Sequence, residues 1–300
     1  MSSKVYLNIS GGLGNQLFQL AAAYSFAQKN DKQLHILYKP KPDGYGRTLL
    51  ADKLLSDSLR REIIFQSKTD MGFVFRASRK IRRKVFPWTY IEEDQQSQDN
   101  LLERAAPRGL VELFGYWQDE EFFMPVVEKL RSNIKVDIPL VDPYLKVQKQ
   151  IQNTNSVSIG ARLYEDNLQD QTVEAEETFG SLMQRADRLK EMIPDAHFFI
   201  FSSSNSSIIE EACSQRKNYF LARAKDGITD TLQTLNLLSQ CKHHIFNQST
   251  FYWWGAWLSE SVHGVGKNII IPPERLFSMI RSGIPKRWPE SAKAIIQPNE

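Results

Sequence analysis

Short apolar runs alternate along this chain with longer stretches whose apolar residues recur every three or four positions. Val5 to Ile9 and Leu34 to Tyr38 read as buried strands. Leu17 to Gln28 between them reads as a helix, with Leu17, Leu20, Ala21 and Tyr24 on one face. Leu49 to Arg61 reads as a polar-faced helix. Val111 to Phe114 reads as a strand that Gly115 breaks, and Asp119, Glu120 and Glu121 then mark a helix start. Val136 to Pro143 holds two prolines and reads as a link. Beyond it come a strand from Val157 to Arg162, a helix from Thr178 to Met192 and a strand from His197 to Phe201. A helix start at Ser206 to Glu211, a helix from Thr229 to Cys241 and strands at His244 to Phe246 and Lys267 to Ile271 complete the series. Strands alternating with helices build parallel sheets. The expected fold is therefore α/β, with two doubly wound Rossmann-like domains at residues 1–150 and 151–300. The tail from Glu274 is expected to cross back to the first.

Two stretches break the alternation. Between Ser249-Thr250 and Leu258 the sequence is apolar on every side of a helix, with Phe251, Trp254, Gly255 and Leu258 on one stripe and Trp253 and Trp257 on another. Such a helix is buried. Its start follows a strand end, where free N–H groups and the helix dipole favour an anion. The second stretch is Ser10 to Gln16, a glycine turn between strand and helix, as in nucleotide-binding units. It lacks the third glycine of a dinucleotide fingerprint. The next strand ends in Tyr38-Lys39-Pro40 and not in an acid for the ribose, which argues against hydride transfer.

Composition narrows the classes further. A net charge of +3 over 300 residues gives no sign of nucleic-acid binding. Cys213 and Cys241 have neither metal nor disulfide spacing, and His243-His244 reads as a packed or solvated pair. No metal and no cofactor are expected. With no signal peptide and no long apolar run, the expected location is cytoplasmic. Phe73 to Trp88 holds six cations between Arg76 and Lys84, flanked by aromatics. This stretch is either a solvated face or a contact to an anionic membrane surface or lipid-linked acceptor, peripheral at the inner face of the membrane.

In open parallel sheets ligands bind at the carboxyl ends of strands. In the second half those ends carry Arg162, the serines Ser202 to Ser204 and the Ser249-Thr250 helix start. A guanidinium, hydroxyls and a helix N-terminus suit a diphosphate.

The residues Gly11 to Gln19, Gly115-Tyr116-Trp117-Gln118 with Phe122-Phe123, Leu238 to Cys241 and Ser249 to Leu258 resemble, in order, the α-1,2-fucosyltransferases of glycosyltransferase family 11. The resemblance implies a two-Rossmann scaffold of glycosyltransferase B type facing a cleft, with the donor on the C-terminal half and the acceptor on the N-terminal half. It also implies metal-free, inverting transfer of L-fucose from GDP-fucose to a galactose 2-hydroxyl of an oligosaccharide or lipid-linked glycan. By resemblance Arg162 holds the β-phosphate and Asn15 approaches the donor. Ser249, Thr250 and Phe251 hold the diphosphate and flank the nucleotide, and Gly12, Gly14, Gln16, Ser202 and Asn247 join the donor set. Tyr116, Trp117 and Gln118 fall on the acceptor side. A carboxylate base is needed, and Glu165, Asp166, Asp119 and Glu120 are all candidates.

The chain also departs from the family pattern. Where the pattern reads HxRRGDY, this sequence reads Gly160-Ala161-Arg162-Leu163-Tyr164-Glu165-Asp166: the first arginine is kept, the histidine, second arginine and glycine are lost, and the acid is Glu165 or the displaced Asp166. Where it reads FSDD, the chain has Phe201-Ser202-Ser203-Ser204. These departures leave two alternatives: the same scaffold with another nucleotide sugar, or a non-catalytic sugar-nucleotide or glycan binder.

Overall fold

Two parallel sheets carry the chain, one in each of two compact units. The first unit runs up to Lys135 and the second starts at Val136. The computed structural model describes residues 3–44, 46–70, 81, 84–86, 89–92, 109–163, 171–203, 207–273 and 287–288. Most of the Arg76 to Lys84 stretch lies outside the described residues, as do Glu165, Asp166 and Ser204.

In the first unit, β1 (Lys4–Asn8), β2 (Gln33–Tyr38), β3 (Ile63–Ser67), β4 (Tyr90–Glu92) and β5 (Leu110–Phe114) pair in the order β3-β2-β1-β5-β4. Every pairing is parallel. Helix α1 (Leu13–Lys29) joins β1 to β2, and it buries residues on all sides, Leu17, Phe18, Leu20 and Tyr24 among them. The helix expected from Leu49 to Arg61 is broken. A 3-10 turn at Ala51–Leu54 is followed by extended Leu55, and α2 (Asp57–Arg61) starts afresh. Ser56 causes the restart, because its Oγ accepts the Leu59 N–H at 3.2 Å as an N-cap. The acidic stretch after Gly115 forms two 3-10 turns, Glu120–Phe122 and Met124–Val126, before α3 (Val127–Asn133). The Asp119 carboxylate accepts the Glu121 N–H at 3.0 Å and fixes the first turn.

In the second unit, β6 (Asn155–Gly160), β7 (Ala196–Ser202), β8 (Tyr219–Arg223), β9 (His243–Phe246) and β10 (Ile270–Ile271) pair in the order β10-β9-β6-β7-β8, again all parallel. The unit also holds α4 (Tyr144–Gln152), α5 (Gln171–Met192), α6 (Ser207–Ser214), α7 (Thr231–Gln240) and α8 (Thr250–His263). Helix α4, which a boundary at 150 would give to the first half, packs here: Gln148 Nε2 donates to Gln240 Oε1 at 3.0 Å.

Helix α8 is the buried helix its sequence predicts. Trp253, Trp254 and Trp257 are fully buried, and Trp254 meets the other two edge-on at 5.1 and 5.0 Å. Each such ring contributes on the order of 4–6 kcal/mol of burial as an upper bound. Buried Glu260 on α8 accepts from Arg287 at 2.6 Å and from Trp288 Nε1 at 3.2 Å. The described tail residues therefore dock on the second unit. His244 at the start of β9 donates from Nε2 to the Cys241 carbonyl at 3.1 Å and accepts the Ser158 hydroxyl at 2.7 Å. Burial lowers its pKa to about 3, and burial with Lys242 lowers that of His243 to about 4. Both cysteines are buried and free. Among the described residues no helix is long and apolar enough to cross a membrane.

Candidate functional site

Counted from its own first strand, each sheet turns back beside that strand. The second unit reads 3-2-1-4-5 and the first 3-2-1-5-4. In such sheets the ligand crevice opens where the strand order reverses. That point lies between β6 and β9 in the second unit and between β1 and β5 in the first.

At the β6/β9 point one side chain joins both flanks. Asn247, buried just past β9, accepts the Arg162 N–H at 2.9 Å and donates to the Arg162 carbonyl at 2.6 Å. Its own N–H reaches the Gly160 carbonyl at 3.3 Å. One carboxamide thus satisfies both backbone groups of Arg162, while the guanidinium side chain is exposed. Each such bond is worth about 1 kcal/mol net, and two together leave the backbone one orientation. Helix α8 starts on the same flank. Ser249 is its N-cap in extended backbone, and its own side chain makes no capping bond. Ser249 and Thr250 are buried and Phe251 is half-buried. First-turn N–H groups have no intrahelical acceptor, so a helix N-terminus and an exposed arginine meet at one switch point. Together they can hold two phosphates.

The remaining expected donor residues here have structural partners. Ser202 is buried and its hydroxyl donates to the Ala161 carbonyl at 2.7 Å, which fixes the residue before Arg162. Asn247 acts on Arg162's backbone. Sequence reasoning missed Tyr252 in this site. Its ring covers Gly160 so closely that an added Cβ would lie 2.4 Å from it. Its hydroxyl donates to the Phe201 carbonyl at 2.9 Å, so it spans the ends of β6 and β7. Burial raises its pKa, and the charge of Arg162 opposes that.

At the β1/β5 point the joining side chain is Gln19, also buried. It accepts the Ser10 N–H at 3.0 Å and donates to the Gly115 carbonyl at 2.8 Å. The turn needs glycine at Gly11, which has φ 80° and would place a Cβ 3.0 Å from Asn15 Nδ2. Asn15 and Gln118, expected on donor and acceptor sides, come together: Gln118 Nε2 donates to Asn15 Oδ1 at 2.8 Å. Gly12 is the N-cap of α1, again without a side-chain cap, and Gly14 is buried in the first turn. Tyr116 is exposed. Trp117 is not a surface residue. At 2% exposure, with φ 52°, it packs edge-on against Phe122 at 5.3 Å and supports the turn from inside. Gln16 likewise works on the backbone: its amide donates to Gly11 and Thr48 carbonyls at 2.9 and 2.7 Å, and its oxygen accepts from Leu50 at 2.9 Å and Ala51 at 3.2 Å. Among the base candidates, Asp119 caps its own turn and Glu120 lies 3.8 Å from Arg131.

Residues 111–272 match the model of glycosyl transferase family 11. The chain is 30% identical over 279 residues to an α-1,2-colitosyltransferase of Escherichia coli, covering 88% of this chain and 90% of that one. It is 24% identical to the O-antigen biosynthesis glycosyltransferase WbnK of Escherichia coli, covering 91% and 95%. Its fold is similar to the crystal structure of the fucosyltransferase NodZ from Bradyrhizobium, with TM-score 0.52 and 16% identity over 85% of this chain and 93% of that one.

Proposed function

We propose that this chain, which belongs to glycosyl transferase family 11, transfers a 6-deoxyhexose from a GDP donor to a galactose 2-hydroxyl of a glycan, with inversion and without a metal. That it is a glycosyltransferase follows from the family; donor, acceptor and stereochemistry are the proposal. The observation that carries it is Arg162, its backbone held by Asn247 beside the start of α8.

As the bond between sugar and phosphate breaks, positive charge grows on the anomeric carbon and negative charge on the departing GDP. Arg162 meets two phosphate oxygens at once, and the N–H groups of α8 meet another. Donors fixed in advance at a developing anion lower a barrier by about 3–4 kcal/mol each. The acceptor hydroxyl attacks the opposite face and gives its proton to a carboxylate. Glu165 and Asp166, which follow Arg162 in sequence, are the candidates for it.

Fucose is the first donor reading. A second is colitose, the 3-deoxy relative of fucose, and two observations favour it. The relative from Escherichia coli bears that activity in its name. The histidine of the family pattern is replaced here by Gly160, which lies under the buried Tyr252 ring and carries no side chain to bond a sugar hydroxyl. The test is GDP release and product linkage in EDTA, with GDP-fucose, GDP-colitose, GDP-mannose and a UDP-hexose as donors to galactosides. Turnover of a GDP-6-deoxyhexose with a 1,2-linked, inverted product is expected. Preferred turnover of the UDP-sugar would overturn the reading.

A further inference from the structure

The glycine loop of the first unit, through Ser10, Gly11 and Gln16, also borders a concave feature whose cations the proposed function does not use. A cavity of about 130 Å³ opens at the carboxyl ends of β1, β2 and β3. Its lining includes the cations Lys39, Lys41, Arg47 and Lys68 against one carboxylate, Asp43. Three of these cations arrive by fixed routes. Lys39 follows β2 directly. Lys68 follows β3, its N–H bonded to the Tyr38 carbonyl at 2.9 Å. Arg47 is held by a closed turn in which its N–H donates to Asp43 Oδ1 at 2.9 Å and its carbonyl accepts from the Asp43 N–H at 3.1 Å. Gln16 then ties Thr48, Leu50 and Ala51 to the glycine loop, so the cavity wall and the loop carrying Asn15 form one frame.

We propose that this pocket binds a phosphate or diphosphate ester on the glycan acceptor. Among the described lining residues cations outnumber carboxylates four to one, which favours an anion, and arginine with lysines matches phosphate oxygens. A cavity of this size suits a head group and not an oligosaccharide. The inference rests on the donor reading: the GDP diphosphate already has Arg162 and α8 in the second unit, so the anion of this pocket is a different one.

The test titrates inorganic pyrophosphate into the full chain saturated with GDP, and again without GDP. The variants are Lys39→Ala/Arg47→Ala, both exposed positions, and Arg162→Ala. Binding that weakens at least tenfold in the pocket variant, with GDP affinity unchanged, supports the proposal. Absent pyrophosphate binding, or binding indifferent to Lys39 and Arg47, overturns it. If GDP fails to bind while pocket-dependent pyrophosphate binding persists, the donor reading falls, and the pocket remains an anion site whose assignment to the acceptor is overturned. In kinetics, a diphosphate-ester oligosaccharide should have a KM at least tenfold below that of the free sugar. The pocket variant should erase that gap and keep kcat. A variant that loses only its affinity for phosphatidylglycerol vesicles would assign the cations to a membrane and overturn the acceptor proposal.

Discussion

The two switch points are built alike and equipped differently. Each is stitched by one buried carboxamide, Gln19 in the first unit and Asn247 in the second. Each is followed or flanked by a helix whose N-cap lacks a side-chain bond. The first presents amides, Asn15 hydrogen-bonded to Gln118, and keeps its cations to one side in the β1–β3 cavity. The second presents a guanidinium whose backbone has no freedom. Under the proposed function the shared scaffold offers a crevice at either place, and the side chain mounted on it would decide between a neutral glycan and a leaving diphosphate.

The sharpest way to break this comparison is to remove the mounted group. Arg162→Ala should lower turnover about 100- to 1000-fold and keep a cooperative melt, since the side chain is exposed. Asn15→Ala, which removes a neutral group, should lower it less. Equal losses in steady-state kinetics would erase the distinction between the units. Arg162→Lys should remain impaired because the planar fork is lost.

The stitch comes next. Asn247→Leu should cost up to about 100-fold in kcat, the scale of a 1 Å misplacement, with donor KM rising less. Gln19→Leu should shift acceptor KM instead. An Asn247→Leu enzyme with ordinary kcat would show that Arg162 needs no clamp.

Much of this was legible in the sequence, and the failures have a common cause. The central strands and the buried helix α8 declare themselves by uninterrupted apolar runs. The strands left unread were β3, β4 and β8, which sit at or beside sheet edges with half-exposed residues and so no clear period. Arg162 and the Ser249-Thr250 start were legible as candidates from their places at strand ends, and Asn15 from the glycine loop. The work of Gln16, Gln19, Ser202 and Asn247 was not, because their partners are backbone groups as much as 96 residues away. The cavity cations are scattered from Lys39 to Lys68 and form a group only when three strand ends lie side by side.

A smaller effect sharpens the packing half of the comparison. Gly160→Ala should destabilise the fold by about 1–3 kcal/mol, because the Tyr252 ring has nowhere to move without strain. Tyr252→Ala should relieve much of that penalty in the double variant. Additive losses in denaturant melts would mean the two residues are not in contact.

The mildest expected effect is on pH dependence. His243 and His244 are neutral when folded, with pKa values near 4 and 3, and near 6.5 when unfolded. Below pH 6.5 the unfolded chain takes up these protons first, so stability falls as pH drops from 6.5 towards 4. His244→Gln should flatten that slope; an unchanged slope would exclude His244 as its source.

The central claim is that the second unit holds the GDP diphosphate through Arg162 and the start of α8. Calorimetric titration of GDP in EDTA, into the wild type and Arg162→Ala, tests it most directly. The account predicts metal-free binding by the wild type and at least tenfold weaker binding by a folded Arg162→Ala. GDP binding that requires added magnesium or manganese, or that is equal in the two proteins, would contradict it.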